Sequence, residues 1–140
     1  MKPLLEERLS QVVAIDTNIL VRIFITDDQQ PQQNDLAKAL VGRFEKIYVP
    51  QIVQVEFVWV LERTHGLEKL ALLNILQELY ENAAFILQNG DIFYRALGLY
   101  RTHNVGFSDC LILAESISND SVLFTFDKKL LKLAGTKRVS

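Results

Sequence analysis

Among the 17 aspartates and glutamates in the chain, Asp16, Glu56, Asp109 and Asp127 are candidates for chemistry: Asp16 and Asp127 stand at or just beyond the ends of β-branched runs, Glu56 in the helix after the second such run, and Asp109 at the start of a helix leading to the last. Carboxylates are hard oxygen donors. If these four converged, their repulsion would raise their pKa values unless a cation neutralised them. An all-oxygen site of this kind suits Mg²⁺ or Mn²⁺, which keep water in their shell and complete it with substrate phosphate. Such a site can activate water and stabilise the attacking and leaving oxygens of a phosphodiester, with one ion or two, and it requires no basic side chain.

Each acid also has a plainer explanation. Asp16, Asp109 and Asp127 all stand near predicted helix starts, where aspartate is a favoured cap. Glu56 differs, because its helical neighbours at three and four residues are Ile52, Val53, Trp59 and Val60. Its carboxylate is therefore expected on an apolar, buried face, where it needs a metal, a proton or a cationic partner such as Arg22 or Arg63.

Positioning these residues requires a regular alternation of elements. Val12 to Ile15 read as a strand that turns at Asp16-Thr17-Asn18 into a helix over Ile19 to Ile25. Pro31 suits a first helical turn, and Gly42 is expected to stop that helix. A strand at Ile47 to Val49 precedes a largely buried helix from Ile52 to Glu62, ended by His65-Gly66. A further helix begins at Leu67 and closes near Asn82, before a short strand over Ala84 to Leu87 and a turn at Asn89-Gly90. The next helix, Asp91 to His103, sets Ile92, Ala96, Leu99 and Tyr100 on one stripe and leaves Arg95 and Arg101 to solvent. Phe107 to Ile117 form another helix, Val122 to Phe124 a buried strand, and Asp127 opens a last short helix. Thr136 to Ser140 are at most a stub of edge strand. This alternation predicts one domain over residues 1–140, with a parallel sheet of four to five strands between helices in a three-layer α/β/α sandwich. Ligands of open parallel sheets lie outside the carboxyl ends of the strands, which is where Asp16 and Asp127 fall.

Composition narrows the functional classes. With 140 residues and 49% hydrophobic content the chain can bury a core, and disorder is excluded. A net charge of −2 excludes a globally basic nucleic-acid surface, so any nucleic acid must be held by local features. The single cysteine, Cys110, and the two histidines, His65 and His103, offer no zinc spacing and no internal disulfide, which fits a reducing cytoplasm. No run approaches the roughly 18 to 20 apolar residues of a membrane span. Glu6, Glu7 and Arg8 interrupt any leader-like apolar core.

The segment "VVAIDTNILVRIF" resembles the opening motif of PIN domains, particularly the VapC-type toxins of prokaryotic toxin–antitoxin pairs. "VPQIVQVEFVWVLER" is similar to the family's glutamate-bearing helix, "VGFSDCLILAES" to the segment with the third acid and "VLFTFDKKLLKLAG" to the strand and turn with the fourth. The resemblance implies that Asp16, Glu56, Asp109 and Asp127 bind the metal and carry catalysis. It also implies Mg²⁺ or Mn²⁺ dependence, hydrolytic cleavage of RNA, homodimerisation and inhibition by a small antitoxin protein. The polar end "TKRVS" is short for the family's fifth strand.

Around the quartet, Thr17, Asn18, Ser108 and Thr125 are candidates to orient carboxylates or metal-bound water; capping and turn formation explain each nearly as well, and Asn18 and Thr125 are kept as site residues. Arg22, six residues after Asp16, is a candidate phosphate contact, as are Lys128 and Lys129 at the head of a basic tail. Two other functions compete. A phosphatase of the haloacid dehalogenase kind needs a second aspartate where Asn18 stands, and so would lack its general acid. A catalytically silent module that binds RNA or protein would gain nothing from four repelling carboxylates. The apolar surplus of Phe57, Val58, Trp59, Leu67, Leu70, Leu73 and Leu76 either fills the core or meets a partner.

Overall fold

The computed structural model describes residues 9–140; Glu6, Glu7 and Arg8, with the reading of the leader, lie outside the described residues. The chain divides into two compact units, the first ending at Gln88 and the second spanning Asn89–Ser140.

In the first unit, β1 (Leu9–Ala14), β2 (Phe44–Val49) and β3 (Phe85–Leu87) form a parallel sheet in the order β1-β2-β3. Val13 lies opposite Ile47, and Ile47 opposite Phe85. Parallel neighbours require long crossovers. These are α1 (Thr17–Phe24) with α2 (Pro31–Arg43), and α3 (Gln51–Arg63) with α4 (Lys69–Glu81). Pro31 begins α2 at a position where its missing N–H costs nothing. The helix runs through Gly42 to Arg43 and passes directly into β2, so Gly42 is not a left-handed cap. Gly66 is one, at φ 63°, just beyond α3.

Leu20, Ile47, Phe57, Leu61, Leu76 and Leu79 are fully buried. Removing each such side chain from water contributes about 1.5–3 kcal/mol. Phe24 meets Phe57 at 5.7 Å and Phe85 at 6.0 Å between ring centroids, which ties α1 to α3 and β3. The apolar surplus of α3 and α4 proves divided. Phe57, Val58 and Leu76 are core, whereas Trp59 and Leu70 are 56% and 72% exposed.

The second unit pairs α5 (Gly90–Thr102) with α6 (Phe107–Ser118), followed by β4 (Leu123–Thr125), a 3₁₀ turn (Leu130–Lys132) and β5 (Thr136–Arg138). Phe107 packs edge-on against Phe93 and Tyr100 at 5.5 and 5.7 Å. The buried stripe of α5 is Phe93, Ala96, Leu97 and Tyr100, so Ile92 and Leu99 are only half-buried, contrary to expectation. Arg95 and Arg101 are exposed as expected. The polar stub does form a strand, pairing in parallel with β4 from Leu123↔Thr136 to Thr125↔Arg138. The expectation of a buried β4 fails, because Phe124 is 59% exposed. Among the described residues all pairings are parallel, as an α/β fold predicts, and five strands bond as a sheet of three and a sheet of two. Among the described residues no helix is long and apolar enough to cross a membrane.

Candidate functional site

Asp16 follows β1 by two residues. The N–H of Ile15 still donates to the Tyr48 carbonyl at 3.2 Å, so the sheet fixes the backbone up to the acid. Asp16 then caps α1, with its Oδ1 accepting the Ile19 N–H at 3.1 Å. The capping role is therefore real, and the exposed carboxylate keeps oxygen lone pairs for another ligand.

Glu56 is placed by the start of α3. The Gln51 N–H donates to Gln88 Oε1 at 2.7 Å, and the buried Gln54 amide donates to the carbonyls of Val49 and Gln88 at 3.3 and 2.9 Å. These bonds anchor the helix at the carboxyl ends of β2 and β3, one turn before Glu56. Its carboxylate is exposed, which corrects the expectation of a buried one. The inward side of α3 is Val53, Gln54, Phe57, Val58 and Leu61, whereas Glu56 shares its side with the exposed Ile52 and Trp59. The Thr17 hydroxyl donates to Glu56 Oε1 at 3.1 Å and links α1 to α3. Neither candidate arginine serves Glu56 in this way. Arg22 bonds Asp27 at 3.4 Å, and Arg63 lies over the Trp59 ring at 5.9 Å.

Arg22 is nonetheless firmly held. Its Nη1 also approaches Asn34 Oδ1 at 3.5 Å. Asn34 is 4% exposed, donates to the Asp27 carbonyl at 2.7 Å and accepts the Asp27 N–H at 3.2 Å. Thr17 is one of the residues expected to orient a carboxylate, and it does so for Glu56. Asn34 is a positioning residue that the sequence does not advertise, because it sits in the polar run Gln32-Gln33-Asn34-Asp35, which reads as a solvated helix face. Asn18 is exposed beside Asp16.

The second unit carries the other two acids. Asp109 stands in the first turn of α6, where the helix dipole favours a negative charge, but the cap is Gly106, so Asp109 is not a cap. Burial pushes its carboxyl above the usual aspartate range, and the negative charge of Asp127 adds to the shift. Asp127 follows β4 by two residues. Its Oδ1 accepts the N–H groups of Lys129 and Leu130 at 2.8 and 3.0 Å, and its own N–H donates to Thr125 Oγ1 at 3.0 Å. Thr125 thus fixes the backbone of the acid rather than its carboxylate. Lys128 and Lys129 are exposed. Lys129 borders a small cavity of about 120 Å³ with His103 and Lys132. Among the described residues no group of three or more His, Cys, Asp or Glu side chains is placed to hold a metal ion.

Comparison with known proteins adds the family relationship. The profile of the PIN domain matches residues 13–136. No curated protein matches the chain. Among solved structures, a chain of a toxin–antitoxin complex from Klebsiella pneumoniae is similar, at 19% identity and a TM-score of 0.34, over 92% of this chain and 100% of that one.

Proposed function

This chain belongs to the PIN-domain family, and from that premise we propose that it is a divalent-metal-dependent endoribonuclease, the toxin of a VapC-type toxin–antitoxin pair. PIN domains are generally nucleases. The observation that carries the proposal is the family match over residues 13–136, a range that includes all four acids. In this reading Asp16, Glu56, Asp109 and Asp127 are the metal-binding and catalytic residues that the family resemblance implies.

The donor set fits such a cation. All four ligands are carboxylate oxygens, the kind of shell Mg²⁺ and Mn²⁺ prefer. Asp109, held above its usual range partly by the Asp127 charge, is stabilised as an anion once positive charge is present. When bound, the cation supplies a lowered water pKa and charge neutralisation at the phosphodiester.

The chain's own residues supply placement. Thr17 orients one oxygen of Glu56 and leaves the other for the site. Asp16 is fixed by the Ile19 N–H, and Asp127 by two backbone N–H groups and by Thr125. Asn18 orients carboxylate or water from beside Asp16, while Arg22, Lys128 and Lys129 meet substrate phosphates. The exposed Ile52, Trp59 and Leu70 support a protein partner, either a second copy of the chain or a small antitoxin. Such a system acts in the cytoplasm, where its RNA is.

Incubation of purified protein with a labelled RNA pool in Mg²⁺, Mn²⁺ or EDTA tests the proposal. Cleavage only with metal is expected. Binding without cleavage under every condition would assign the silent-module function instead.

A further inference from the structure

A groove of about 490 Å³ runs between α1 and α2 of the first unit. Its wall begins at Asp16 and continues through Ile19 and Arg22 to Leu36, Leu40 and Arg43. The lining is of two kinds. Ile19, Leu36 and Leu40 form an apolar surface, and Leu36 is 71% exposed. Arg22 and Arg43 supply two guanidinium groups whose geometry is already set. Arg22 is clamped by Asp27 and Asn34, and its Nε is enclosed with no acceptor among the described residues. Arg43 lies over the Phe44 ring at 5.4 Å.

An apolar wall flanked by fixed guanidiniums matches one planar base and its phosphate, and the volume falls within the range of pockets that enclose a small ligand. Continuity with Asp16 selects the occupant. If Asp16 helps hold the scissile phosphodiester, the neighbouring nucleotide must leave along the surface that starts at Asp16, and the groove is that surface. We propose that the groove between α1 and α2 binds the nucleotide adjoining the cleaved bond of a single-stranded RNA. The base lies on Ile19, Leu36 and Leu40, and the phosphate is drawn to Arg22 and Arg43. This deepens the ribonuclease reading and rests on it.

The test is the affinity of the full chain for a short fluorescein-labelled single-stranded oligoribonucleotide in EDTA, read by anisotropy. Leu36→Asp and Arg43→Glu change exposed positions and so leave the core intact. Each is expected to weaken binding about tenfold. Lys38→Glu makes the same charge change in α2 at a residue outside the groove wall, where its Nζ meets Thr26 Oγ1 at 2.9 Å, and should shift the affinity by less than about twofold. A 4-thiouridine version of the oligonucleotide should cross-link within residues 16–22 or 31–43. No binding by the wild type, equal losses in all three variants, unchanged affinity in the groove variants or cross-links elsewhere would overturn the proposal. So would groove variants that release a co-purifying protein while RNA affinity stands, because the occupant would then be that protein. Cleavage by the groove variants with the wild-type KM would remove the groove and leave the ribonuclease reading. RNA bound in the groove by a wild type that cleaves nothing in Mg²⁺ or Mn²⁺ would do the reverse.

Discussion

The acids of the two units are held in different ways. Asp16 and Glu56 are exposed, and each accepts a hydrogen bond from its own unit, one from the Ile19 N–H and one from the Thr17 hydroxyl. Asp109 is half-buried at the start of α6, and burial together with the charge of Asp127 disfavours its ionised form. Carboxylates thus differ in what their charge costs before any cation is present. Asp16, Glu56 and Asp127 accept neutral donors already in place, Asp127 from the N–H groups of Lys129 and Leu130. Asp109 gains most from added positive charge, so pH should act chiefly through it.

The largest expected effect falls on activity. Asp127→Asn keeps a side-chain oxygen for the N–H groups of Lys129 and Leu130 but removes the charge, and RNA cleavage should fall by about a hundredfold or more. Single-turnover rates measure this. A loss of less than about tenfold would separate Asp127 from the metal.

Next in size is a change confined to the first unit. Asn34→Ala leaves the half-buried Asp27 N–H without its acceptor, while the Asp27 carbonyl keeps the Gln30 N–H, at a cost of about 1–3 kcal/mol of stability. Urea denaturation should register that loss, together with weaker RNA binding as Arg22 loses its clamp. A variant as stable as the wild type would show that the Asn34 network is incidental.

The contrast between Asp109 and the other acids is sharpened by pH. Because the folded chain raises the Asp109 pKa, it binds this proton more readily than the unfolded chain does. That contribution to stability is complete below the ordinary aspartate range and is lost as pH rises through the raised folded value. Asp109→Asn should therefore flatten the fall in melting temperature over that window in EDTA, and leave the variant more stable than the wild type at neutral pH. A variant with the wild-type pH profile would show that the charge of Asp109 carries no cost.

The smallest effect belongs to Asp16. As a cap, asparagine is about as good as aspartate, so Asp16→Asn should alter metal-free stability by only a few tenths of a kcal/mol. Its stabilisation by added Mn²⁺ should nevertheless shrink, since that gain is linked to affinity of the native state for the ion. Equal Mn²⁺ stabilisation of the two proteins would reduce Asp16 to a cap.

Much of this was legible in the residues. The alternation of β-branched runs with helical periods located every strand and helix to within a few residues, and Asp16 and Asp127 fall two residues beyond strand ends as the topology requires. Periodicity failed where apolar residues flank both sides of a helix. In α3, Ile52 and Trp59 look as internal as Val53 and Phe57, so Glu56 seemed buried, although only tertiary packing decides which side turns inward. In α5 the adjacent apolar pair Ile92 and Phe93 let the stripe be placed one residue early. Asn34 was hidden for the converse reason, because a buried polar side chain is identified by partners distant in sequence, and nothing in a polar run distinguishes it.

The central claim is that the chain is a metal-dependent ribonuclease with Glu56 among the metal-binding carboxylates, and Glu56→Gln tests it most directly. The amide keeps the shape of the side chain and an oxygen for the Thr17 hydroxyl while removing the charge. Cleavage of single-stranded RNA should be measured for both proteins across a Mg²⁺ or Mn²⁺ titration, with EDTA as the origin. The account predicts cleavage by the wild type that rises with metal from none in EDTA, and no cleavage by the variant at concentrations that saturate the wild type. Full-rate cleavage by Glu56→Gln, or by the wild type in EDTA, would contradict it.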